Sequence, residues 1–116
     1  MSELELYCEA IERYGEHRQL VKVCEEMELY CEAIERYGEH RQLVKVCEEL
    51  AELQQAICKR FDVSVGYERD VEEVVEEIAD VEIMLEQLRV ILRVDPEMEQ
   101  RWRERKLNRL RRRLGV

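Results

Sequence analysis

In 116 residues there are one proline, four glycines, one phenylalanine and one tryptophan. So small a supply of turn formers and aromatics excludes a β-sandwich or barrel, which needs both at every hairpin. No apolar run approaches the roughly 18 residues of a membrane span, and Glu3 and Glu5 stand where a signal peptide would carry basic residues. A cytoplasmic protein with no membrane partner is expected. The five cysteines, Cys8, Cys24, Cys31, Cys47 and Cys58, are odd in number and form no C-x-x-C pair, so neither a disulfide framework nor a zinc site is favoured. Reduced, mostly buried thiols are the expectation. There is also no Gly-rich phosphate loop and no evident Ser-His-Asp or Cys-His set. His17 and His40 fall in a polar turn and read as surface residues.

What is present is charge on a helix-forming background. Hydrophobic residues make up 46% and charged residues 41% of a chain of one-domain length, which predicts an all-α globular fold. The net charge of −9 is unevenly spread: residues 101–116 hold eight basic side chains and one acid, or +7, leaving −16 for residues 1–100. An acidic body argues against a nucleic-acid polymer as partner and suits a protein that holds cations in one place and anions near another.

Residues 5–27 recur as residues 28–50, differing only at Met27 and Leu50. A 23-residue period leaves a phase error of about 140° on a helix, so the copies do not share one face of an unbroken rod. A single near-perfect copy is also unlike a solenoid, which needs about three or more stacked units. The pattern reads as a tandem duplication, natural or engineered: 1–26 an appended or exchanged helical segment, 27–116 the functional helical domain. Because the copies are identical, competition for one groove could instead give a swapped dimer or a register change.

Spacing and punctuation predict five helices. Leu4, Tyr7, Cys8, Ile11 and Tyr14 step by three and four residues up to a stop at Gly15. From Arg18 a second series, Leu20 to Tyr37, crosses the repeat junction without a phase break. After a Gly38-Glu39-His40 turn, Leu43 to Phe61 mark a third helix ending near Arg60, and 61–69 reads as a loop. Asp70 with Glu73 forms a capping-box-like start for the fourth, whose nearly all-round apolar surface asks for partners. Asp95-Pro96 opens the last.

The third and fourth helices carry acids amid their apolar residues. Glu48, Glu49 and Glu52 fall within about a 100° arc, and Glu77 and Asp80 are neighbours three apart. If the two helices pack antiparallel, four or five carboxylates converge. Such a cluster needs protons or bound cations, and hard oxygen ligands at this spacing suit Mg²⁺ or Mn²⁺. A chain with 28 acids also places pairs of Glu three apart by chance, and Glu72, Glu73 and Glu76 read as a solvated face.

Glu48-Glu49-x-x-Glu52, a gap of 24 residues, then Glu77-x-x-Asp80, resembles the E-E-x-x-E … E-x-x-D signature of the MazG-like all-α nucleoside triphosphate pyrophosphohydrolases. The likeness runs from about Glu28 to Leu110 and includes EELAELQQAICK and EEIADVEIMLEQL. It implies a four-helix bundle, here with an extra N-terminal segment, assembled as a homo-oligomer, a dimer or tetramer. It implies Mg²⁺-dependent cleavage of a nucleoside triphosphate to monophosphate and pyrophosphate, with Glu49, Glu52, Glu77 and Asp80 as metal ligands and Glu48 orienting the attacking water. In the first copy Glu25 and Glu26 match Glu48 and Glu49, but Leu29 stands where Glu52 does, so that copy lacks the third carboxylate. Weaker substrate candidates are Gln42, Lys59, Trp102 and Lys106. Lys59 also suits a helix C-terminus, and Trp102 suits the core, an oligomer interface or a base platform. The other class of function is a non-catalytic helical bundle, an interaction module or an engineered duplication, in which Glu52 and Asp80 hold no metal.

Overall fold

The computed structural model describes residues 2–60 and 71–116, apart from the side chains of Tyr7, Ile11, Tyr14 and His17. The expected 61–69 loop, the helical reading of Phe61, the Asp70 cap, the surface reading of His17 and the apolar roles of Tyr7, Ile11 and Tyr14 lie outside the described residues. The fold is all-α. Helix α1 spans Glu3–Tyr37, α2 Glu39–Arg60, α3 Glu72–Leu92 and α4 Pro96–Leu114.

Local chemistry explains where these helices start and stop. The Ser2 hydroxyl accepts from the Glu5 amide at 3.2 Å while the Glu5 carboxylate accepts from the Ser2 amide at 2.8 Å, a reciprocal pair that opens α1. At Gly15 the backbone turns to φ 78°, ψ 155°, so α1 is two helical segments joined by a kink, as the Gly stop predicted. The second segment passes through Met27 and Glu28 unbroken. Gly38, at φ 88° and ψ 153°, ends it, and its amide donates to the Ile34 carbonyl at 2.8 Å. These left-handed values favour glycine. The expected three-residue turn shrinks to Gly38 alone, because α2 already begins at Glu39. Asp95 caps α4 by accepting from the Glu97 amide at 3.0 Å, with Pro96 in the first turn.

The packed body is α1, α2 and α3, with α2 lying along α3 as the principal contact. Among the described residues the buried apolar ones are Val46 and Ala56 of α2 and Val81 and Met84 of α3. Helix α4 packs its backbone against none of the other helices and buries no residue, so three helices form the bundle and the fourth stands outside it. It is tied on by Arg89, whose guanidinium meets Glu99 at 2.8 Å and Glu86 at 2.6 Å. Trp102 is 52% exposed, which removes it from the core.

The five cysteines are free, as expected, but exposed where burial was expected. In the single chain the faces that carry them meet solvent. The accessible surface is 9969 Å², whereas a compact 14.1 kDa monomer is expected to expose about 6,700 Å². The radius of gyration, 17.6 Å, likewise exceeds the roughly 13 Å of a compact domain of this length. Among the described residues no helix is long and apolar enough to cross a membrane.

Candidate metal centre

Helices α2 and α3 bring three of the sequence-predicted ligands together. One carboxylate oxygen each from Glu49, Glu52 and Glu77 lies within 4.8 Å of the others. The positions follow from helix geometry: Glu49 and Glu52 are one turn apart on α2, and α3 presents Glu77 across the same seam. Glu49 is buried at 6% exposure, Glu77 is half-buried and Glu52 is exposed at the rim. Asp80, one turn along from Glu77, is half-buried and stands outside the 4.8 Å group.

The electrostatics show a site with an excess of negative charge. Burial raises the Glu77 carboxyl above its ordinary value of 4.5, and Glu52, Asp80, Glu49 and Glu76 raise it further. Glu52 is also raised, first by the hydrogen bond it shares with Glu49 and then by the Glu49 charge; Lys45 opposes this and Asp80 adds to it. The Lys45 ammonium meets the Glu49 carboxylate at 3.0 Å and lies 3.9 Å from Glu48. Among the described residues two acceptors remain unused beside it: Oε2 of Glu49 and Oε2 of Glu77 are buried and have no hydrogen-bond partner. A buried carboxylate oxygen without a donor has lost its water partners with nothing in return. Three carboxylates this close, two of them with an unpartnered buried oxygen, suit a hard divalent cation, which takes oxygen ligands and completes its shell with water.

Beside the carboxylates lies an open pocket of about 560 Å³, bounded by Tyr37, Arg41, Lys45, Glu48 and Met84, with Gln42 in its wall. Glu48 is exposed there, so its carboxylate is free of the inward-facing group. Gln42 is buried, and its amide donates to Oε1 of Gln87 at 2.7 Å. This bond ties α2 to α3 and commits the side chain that the sequence offered for base or sugar contact. Lys59 is exposed at the end of α2, a position that the helix dipole explains. Trp102 and Lys106 lie on α4, where Arg105 and Lys106 sit 5.1 and 5.9 Å from the indole centroid. None of these last three lines the pocket.

Two contributors were not singled out from the sequence. Lys45 carried a usable signal, since it precedes Glu49 by four residues. Gln87 carried only a weak one, a polar residue inside an apolar helix. Comparison with known protein families, with curated proteins and with solved structures finds no match.

Proposed function

We propose that the chain is a Mg²⁺-dependent nucleoside triphosphate pyrophosphohydrolase, with Mn²⁺ as the alternative ion, working as a homo-oligomer. The observation that carries this reading is the approach of Glu49, Glu52 and Glu77 to within 4.8 Å, with a buried oxygen on Glu49 and another on Glu77 that have no hydrogen-bond partner among the described residues. The resemblance of the E-E-x-x-E … E-x-x-D spacing to the MazG-like enzymes supplies the reaction class.

Within this reading Glu49, Glu52 and Glu77 would hold the cation, with Asp80, one helical turn from Glu77, as a further ligand. A divalent cation held there would supply neutralisation of the triphosphate and a more electrophilic α-phosphorus. Arg41 and Lys45 draw the phosphate chain into the adjoining pocket. Glu48, exposed on that wall, accepts the proton of the attacking water. Water oxygen bonds to the α-phosphorus, the bond to the bridging oxygen breaks, and pyrophosphate leaves with the electron pair. Homo-oligomer formation is supported by the excess surface and by exposed apolar residues along α2 and α3, among them Leu50, Ile57, Val75 and Ile78.

The same exposed apolar residues also favour a second reading, a non-catalytic interaction module. Pyrophosphate release from a panel of nucleoside triphosphates, with Mg²⁺ and with EDTA, decides between them. Mg²⁺-dependent release that disappears in Glu52→Gln supports the enzyme; no release above background, with Glu52→Gln stabilising the fold and Mg²⁺ leaving the melting point unmoved, supports the module.

A further inference from the structure

The two copies share more than sequence. Gly15 and Gly38 adopt nearly the same backbone conformation, φ 78° and ψ 155° against φ 88° and ψ 153°, and each is followed by 22 helical residues. Every α2 position buried in the structure has the same residue type 23 places earlier: Gln42, Val46, Glu49 and Ala56 correspond to Gln19, Val23, Glu26 and Ala33. In the structure, Val23 and Glu26 are exposed, and Gln19 and Ala33 are half-buried. The face that α3 recognises is therefore present twice, once seated and once largely open to solvent.

We propose that residues 16–37 are a second binding surface for α3 of the same chain, so that the molecule has two registers. In the observed register residues 28–60 flank α3. In the shifted register residues 5–37 take their place and 38–60 join the connection to α3. Lengthening a connection costs little entropy, because closure depends only on the logarithm of its length. Gln19 then meets Gln87, and Val23 and Ala33 fill the places of Val46 and Ala56. The registers differ at one chemically decisive place: Leu29 takes the position of Glu52. Only the observed register assembles Glu49, Glu52 and Glu77, so a divalent cation selects it, since a ligand shifts an equilibrium toward the state that binds it better. The metal control rests on the metal reading of the carboxylate site; the two registers do not.

The test is thermal melting of the full chain without metal and with Mg²⁺ alone. Val46→Asp places a carboxylate in the core of the observed register, and Val23→Asp does so only in the shifted one. With two registers, Val46→Asp lowers the melting point by less than half the drop seen in Val46→Asp/Val23→Asp, whereas Val23→Asp alone melts near the unaltered chain. Val46→Asp melting as low as the double variant overturns the proposal. Rescue that vanishes on tenfold dilution places the exchange between two chains and overturns the single-chain form. Mg²⁺ raises the melting point of the unaltered chain but not of Val46→Asp, and adding Leu29→Glu to Val46→Asp restores the rise by returning the third carboxylate. Failure of that restoration, while the unaltered chain responds, overturns the metal-controlled switch. If the unaltered chain shows no response to Mg²⁺, the metal reading falls and the melting points of the aspartate variants alone decide the registers.

Discussion

Residues 16–27 and 39–50 are the same text, twelve positions with one change, yet the first stretch is largely exposed and the second buries Gln42, Val46 and Glu49. Helix formation is local and equal in both, down to the preceding glycine. What differs is what comes next. The second copy continues as Ala51-Glu52-Leu53, which extends the seam with α3 and adds a carboxylate. The first continues as Glu28-Leu29-Tyr30, and Tyr30 settles half-buried near Glu86 of α3; burial, then Glu26 and Glu86, raise its hydroxyl above the ordinary 10.0. An amphipathic segment specifies a face, and the residues that follow it decide which partner that face meets.

The largest effect is expected at the side both copies need. Met84 is buried on α3, which occurs once, so no duplicate substitutes for it. Met84→Ala should lower unfolding stability by about 2–4 kcal/mol in urea titrations. A loss under 1 kcal/mol would show that the α2–α3 seam is not the centre of the fold. Next is Glu49→Gln beside Glu26→Gln. Removing Glu49 should abolish the stabilisation given by Mg²⁺, which amounts to about 2.7 kcal/mol at a hundredfold excess over Kd. Glu26→Gln should leave it intact. Equal losses from both would erase the distinction between the copies.

The charge state of Glu77 gives a third, smaller test. Its folded pKa is raised, so the folded state binds more protons than the unfolded one in the window from 4.5 up to that raised value. In EDTA the group's contribution to stability is therefore greatest at or below pH 4.5 and is lost as pH rises through the window. The melting point of Glu77→Gln, which mimics the protonated form, should pull ahead of the unaltered chain as pH increases. Saturating Mg²⁺ should reverse the order at neutral pH. A gap that does not change with pH would mean that Glu77 is not crowded by its neighbours.

Much of this was legible beforehand, for reasons particular residues make plain. The break at Gly15, the unbroken junction at Met27 and the Asp95-Pro96 start are local features, set by backbone conformation and capping, and the sequence displays them directly. The meeting of Glu49, Glu52 and Glu77 followed from helical spacing once α2 and α3 were antiparallel neighbours. The fates of Gln42 and Trp102 were not legible. Whether Gln42 turns toward solvent or toward Gln87 depends on a residue 45 positions away, and whether α4 joins the bundle depends on surfaces that periodicity does not rank. The cysteines were misjudged because helix-like spacing marks a face without showing whether anything covers it.

The smallest expected effect sets the two glycines against each other. A methyl group added at either Gly15 or Gly38 meets no atom within 4 Å, so neither substitution is opposed by packing, and any cost comes from the backbone. At Gly38 the helices on both sides, α1 and α2, pack on α3, so the chain must keep its positive φ and Gly38→Ala should cost about 1 kcal/mol. At Gly15 the adjacent Glu16 and the preceding Arg13 are exposed, and the kink has less to hold it. Gly15→Ala can therefore straighten α1 into one continuous helix and recover most of that cost, since alanine favours a helix interior over glycine by about as much. Circular dichroism and urea melts on the two variants should show helicity rising with unchanged stability for Gly15→Ala, and stability falling for Gly38→Ala. Equal destabilisation by both would mean that the first copy is anchored as firmly as the second.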